Sequence, residues 1–83
     1  MYRFKYTPRA QKDAKKLNRS GLKDKVEKLL KIIQDNPFQT PPYYEKMTGY
    51  SNRYSRRINK QHRLVYTVYD DVIKINSMWS HYE

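Results

Sequence analysis

The residues of this chain that can do chemistry are few and far apart: Glu45, Arg57, Arg63, His81 and Tyr82. Glu45 is the only acid between Asp35 and Asp70, and it stands among Tyr43, Tyr44 and Lys46, where nearby cations keep a carboxylate ionised and able to accept a proton. His81 and Tyr82 come at the end of the chain, where a small protein ordinarily frays. A base, a cation and an acid are what RNA needs to be cut by its own 2′-hydroxyl. The base takes the hydroxyl proton, cations hold the phosphorane-like charge, and the acid protonates the departing 5′-oxygen. Glu45, Arg63 with Arg57, and His81 with Tyr82 can fill those roles.

Other chemistries lack their residues. The two histidines, His62 and His81, fall at a turn and at the terminus, with no cysteine and no acid pair at ligand spacing, so the sequence predicts no metal and no cofactor. Gly21 and Gly49 are the only glycines, too few for a phosphate-cradling loop. Asp70-Asp71, the one adjacent acid pair, reads as a turn rather than as glycosidase carboxylates.

The 83 residues have room for one domain, 1–83, with one modest core. Lys and Arg number 18 against 8 Asp and Glu, and the net charge of +10 predicts an anionic partner, nucleic acid first. Nine tyrosines favour RNA, because rings among cations can stack on unpaired bases while the cations hold phosphates. The absence of cysteine points to a reducing cytoplasm, and no apolar run approaches the ~20 residues of a membrane span.

The elements that must position these residues follow in order. Tyr2, Phe4 and Tyr6 alternate as a first strand, and Thr7-Pro8 opens a helix that ends near Asn18 to Gly21. Leu22, Val26, Leu29, Leu30 and Ile33 form the apolar stripe of a second helix, with lysines on its other faces. Asn36-Pro37 stops it, and an extended loop through Pro41-Pro42 leads to a strand over Glu45 to Tyr50, then another over Arg53 to Ile58. Asp70-Asp71 as a two-residue hairpin loop pairs Tyr69 with Val72. That register sends Leu64, Tyr66, Val68, Ile73, Ile75, Ser77 and Trp79 to a core face. Arg63, Val65, Thr67, Lys74, Asn76, Met78 and Ser80 go to a polar working face. A three-residue loop at Asn59 to Gln61 adds Arg57, Arg53 and Ser55 to the working face, whereas a four-residue loop adds Arg56; three is preferred because it directs Tyr54 and Ile58 to the core. His81 has core parity and reaches the cleft only if the chain leaves strand geometry after Ser80.

Ser55-Arg56-Arg57-Ile58, then His62-Arg63-Leu64-Val65-Tyr66, then Ser80-His81-Tyr82 resemble the YoeB (Txe) branch of the RelE-like toxins of bacterial toxin-antitoxin systems. The resemblance implies an α+β, microbial-ribonuclease-like fold: an N-terminal strand and a helical hairpin on one face of a twisted, mostly antiparallel sheet. It implies cleavage of messenger RNA in the ribosomal A site, leaving a 2′,3′-cyclic phosphate and a 5′-hydroxyl. It also implies a cognate antitoxin that displaces the toxin's C-terminal segment. Carried onto this chain, the general base is Glu45, the transition-state arginine Arg63, and the general acid His81 with Tyr82 beside it. Arg57 and Lys46 are supporting cations. Together with Arg53, Arg56 and Lys74 they make up the expected RNA-binding set, and the oligomeric state stays open between monomer and homodimer. Glu83 extends one residue past the family's His-Tyr ending. The rival reading is a non-catalytic ribosome or RNA binder, or a ParE-like toxin that inhibits gyrase. Glu45 with the terminal His-Tyr, which binding alone does not require, favours the enzyme.

Overall fold

The computed structural model describes residues 2–80, so the acid and phenol expected at His81 and Tyr82 lie outside the described residues. The N-terminal alternation becomes β1 (Arg3–Tyr6). Thr7 then caps α1 (Pro8–Arg19): its Oγ1 accepts the Ala10 N–H at 3.0 Å and donates to the Asn76 carbonyl at 2.8 Å, so one hydroxyl both starts the helix and ties it to the last strand. α1 ends with the Leu22 N–H on the Leu17 carbonyl and Gly21 at φ 79°, a left-handed conformation in which a Cβ would be strained. α2 (Lys23–Asp35) buries Val26, Leu29 and Ile33 and leaves Lys23, Lys25, Lys28 and Lys31 in solvent.

Beyond the loop come β2 (Tyr44–Lys46), β3 (Arg53–Arg57), β4 (Arg63–Tyr69) and β5 (Val72–Ser80). β2 is shorter than its expected span to Tyr50, because a turn with Gly49 at φ 88° and a Tyr50 N–H bonded to the Met47 carbonyl ends the pairing. The Ile58 N–H bonds the His62 carbonyl at 2.8 Å, closing Asn59 to Gln61 as a three-residue loop. Arg57 therefore stands opposite Arg63, as preferred from the sequence.

The sheet order is β1-β5-β4-β3-β2, with β1 parallel to β5 and the other neighbours antiparallel. Both helices lie on one face, where Leu17 and Ile33 meet Leu64, Tyr66, Ile73 and Ile75, all essentially sealed from water. This is the expected α+β architecture.

The β4–β5 hairpin turns at Asp70-Asp71, with Asp70 at φ 43°, and holds the expected register from Tyr69↔Val72 to Tyr66↔Ile75. It then departs. Val65 pairs with Ser77 and Arg63 with Ser80, so β5 carries two more residues than its partner across this stretch. The first irregularity turns Met78 into the core at 1% exposure and aligns Ser77 with Val65, reversing the faces expected for those two residues. The second returns Ser80 to a position opposite Arg63. Its cause is on α1. The buried Asp13 carboxylate accepts the Met78 N–H at 2.9 Å and the Trp79 N–H at 3.2 Å, two successive donors that a regular strand would have pointed to opposite sides.

Candidate active-site cleft

Strand alternation assembles the cleft. Glu45 is the middle residue of β2 and stands opposite Ser55 on β3, while Arg57, two residues on, stands opposite Arg63 on β4. The side chains of these four residues point away from the helices. Arg63 Nη1 donates to Glu45 Oε1 at 2.8 Å, joining residues 18 apart in sequence across the intervening strand. With Pro42, Tyr43, Ser55 and Arg57 they line an open cleft of about 380 Å³. The Ser55 hydroxyl is buried in its floor with no hydrogen-bond partner among the described residues.

The Glu45 side chain is 45% exposed and that of Arg63 19%. The carboxylate is open to water, whereas the guanidinium is largely sheltered from it.

The remaining cations scatter. Arg53 shares the working face but lies a row away, opposite Thr67, with its guanidinium 4.1 Å from the Tyr50 ring centroid. Lys74 lies on the other side of Thr67, its Nζ 5.7 Å from the Tyr69 ring. Lys46 stands opposite Tyr54 and so alternates away from Glu45, exposed at the sheet edge.

Arg56 departs furthest from expectation. It is 1% exposed on the core side of β3, so it cannot belong to an RNA-contacting surface in this fold. Its Nε donates to Tyr66 Oη at 3.1 Å, Nη1 to the Pro42 carbonyl at 2.6 Å, and Nη2 to the carbonyls of Pro37 and Gln39 at 3.0 and 2.8 Å. The Tyr66 hydroxyl donates in turn to the Pro37 carbonyl at 2.8 Å. Burial raises the Tyr66 phenol above its ordinary pKa, while the hydrogen bond and charge of Arg56 pull it down. Arg56 holds the loop that leads into β2.

His62 is buried and stacks on Trp79 with centroids 4.0 Å apart. Among the described residues no group of three His, Cys, Asp or Glu could hold a metal, and no helix is long and apolar enough to cross a membrane. Sequence reasoning passed over Tyr43 and Pro42 as cleft walls. The signal was present for Tyr43, since it sits two residues before Glu45 and a strand repeats its face at that interval.

A family model described as the YoeB-like toxin of bacterial type II toxin-antitoxin systems matches residues 6–82. This chain belongs to that family. Among relatives of this YoeB-family toxin, a Toxin YoeB from Synechocystis sp. is 39% identical over an alignment of 77 residues that covers 88% of this chain and 79% of the relative. The structure described as the YoeB dimer from Staphylococcus aureus is 38% identical, with a TM-score of 0.86 over 98% of both chains. The YoeB-YefM complex from the same organism is 37% identical, with a TM-score of 0.82 over 99% of both chains. A YoeB fold thus accounts for the whole arrangement of helices and strands.

Proposed function

We propose that this toxin is a metal-independent endoribonuclease that cuts messenger RNA in the ribosomal A site. The observation that carries this reading is the 2.8 Å contact between Glu45 and Arg63 inside an open cationic cleft. It brings a carboxylate and a guanidinium side by side, with no other anion among the described residues that line the cleft.

An entering phosphodiester draws Arg63 from Glu45, with Arg57 beside it as a second cation. The freed carboxylate removes the proton of the adjacent ribose 2′-hydroxyl. That oxygen attacks phosphorus, the bond to the 5′-oxygen breaks, and His81 donates the proton the leaving oxygen needs, with Tyr82 assisting. The products are a 2′,3′-cyclic phosphate and a 5′-hydroxyl. Arg53 and Lys74 extend the basic face along which the RNA backbone runs, and Lys46 contributes charge from the sheet edge. Ribosomal RNA and mRNA are the nucleic-acid partners, in the cytoplasm. The Staphylococcus aureus relatives, described as a dimer and as a complex with YefM, support a homodimeric state and a YefM-like antitoxin here.

Primer extension on translating ribosomes tests the reading. The wild-type protein should create new RNA ends carrying cyclic phosphate, and His81→Ala should abolish them while the fold persists by circular dichroism. Glu45→Gln should slow cleavage by about 10²- to 10⁴-fold, the usual scale of a positioned general base. Undiminished cleavage by the His81 variant would sink the assignment.

A further inference from the structure

Tyr43 is 74% exposed, whereas the other exposed large hydrophobic residues among those described, Tyr6, Phe38, Tyr50 and Tyr69, range from 39 to 47%. Tyr43 also takes no part in any hydrogen bond or ring contact with the described residues, so its phenol ring contributes nothing visible to folding. The backbone on both sides of it is nonetheless clamped. Arg56 binds the Pro42 carbonyl immediately before it. Tyr44, immediately after, pairs with Arg56 in the ladder, and its ring meets Tyr54 edge-on at 5.8 Å. The result is an aromatic plane on a fixed stem, in the wall of a cleft that also holds Arg57 and Arg63. Cations beside an unpartnered ring match the two chemical parts of single-stranded RNA, phosphate and base.

The placement also selects a nucleotide. Tyr43 immediately precedes β2 and lines the same cleft as Glu45, two residues on, so the ring and the carboxylate face neighbouring parts of one nucleotide. We propose that Tyr43 is a base-stacking subsite that receives the nucleobase immediately 5′ of the cleaved bond, orienting the ribose whose hydroxyl Glu45 deprotonates. This deepens the ribonuclease reading and rests on it. Because every base has a π face, the subsite tolerates all four, with purines held better than pyrimidines.

The test uses intact protein on programmed ribosomes. Tyr43→Ala should lower kcat/KM by about 5- to 150-fold, the range for losing one base–aromatic stack. Tyr43→Phe and Tyr43→Trp should restore most of it. The defect should vanish on an mRNA made abasic at the nucleotide 5′ of the cut, and should persist when the abasic site is 3′. A second arm does not depend on cleavage: 2-aminopurine at the 5′ nucleotide, in an mRNA blocked by a 2′-deoxy sugar, should be quenched by wild-type protein and not by the alanine variant. Wild-type protein that quenches without ever cutting unblocked mRNA would refute the ribonuclease reading and keep the stack. Cleavage by Tyr43→Ala at the wild-type rate, or a defect equally large on the 5′-abasic mRNA, would overturn the subsite. So would unaltered quenching by the alanine variant, or an effect of that variant confined to neutralisation by the antitoxin.

Discussion

Arg56 and Arg57 are neighbours in sequence with opposite fates. One is sealed in the core-side layer, bonded to three carbonyls and a phenol, and the other opens onto the cleft. Strand parity was enough to separate them once the loop that follows, Asn59 to Gln61, was given three residues, and the sequence reading erred only in keeping both as RNA contacts. What it could not supply was the buried destination, because the carbonyls of Pro37, Gln39 and Pro42 belong to a loop with no periodic signal. Tyr66 is the residue on which this network tests most cleanly. Tyr66→Phe leaves the Pro37 carbonyl and the Arg56 Nε short of a partner, and should cost about 1–3 kcal/mol in chemical denaturation at neutral pH. The pH dependence has a definite sign. Because the folded protein holds the Tyr66 proton more tightly than the unfolded chain, its contribution is whole below pH 10 and is lost as the pH rises through the higher folded value. The variant should therefore show a shallower alkaline loss of stability than wild type. Tyr6, whose pKa burial also raises, sustains what remains of it.

Among the elements, the helices and the Asp70-Asp71 hairpin were legible because their signals are local: a Thr-Pro cap, an apolar stripe, a two-residue turn. The irregular end of β5 was not legible. Its cause, Asp13, lies 65 residues away on α1 and carries no mark in sequence that separates it from a solvated helix acid. Without that carboxylate, the Met78 and Trp79 amides would be buried donors with no acceptor. Asp13→Ala should destabilise the protein by about 2–6 kcal/mol, two such donors at 1–3 kcal/mol each. Hydrogen exchange should report the loss of protection first at Met78 and Trp79. Arg9→Ala, which removes only a 3.9 Å contact to the same carboxylate from a largely exposed side chain, should change stability by less than about 1 kcal/mol. Equal effects of the two substitutions would mean that the carboxylate does not hold the bulge.

For the whole molecule, the net charge of +10 is the dominant long-range fact. It was visible in composition alone, whereas its division into a cleft, a basic sheet face and a lysine-studded α2 needed the fold. Each phosphate neutralised on a single strand contributes about −0.7 to the slope of log affinity against log salt. Binding to single-stranded RNA should therefore weaken several decades between low and physiological salt if the cleft and the adjoining basic face both engage. Replacing Arg53 with Gln should flatten that slope by about one contact, and an unchanged slope would remove Arg53 from the binding face.

Among the described strands, β1 pairs only with β5. During synthesis the chain must wait with one edge of its sheet unbuilt until β5 has cleared the exit tunnel. α1, whose cap and buried carboxylate both reach into β5, waits with it. The sheet is thus held short of its native state until Val72–Ser80 is outside the ribosome. Stalled nascent chains truncated before Val72 should remain protease-sensitive throughout, and chains extended past Ser80 by enough residues to fill the tunnel should become resistant in one step.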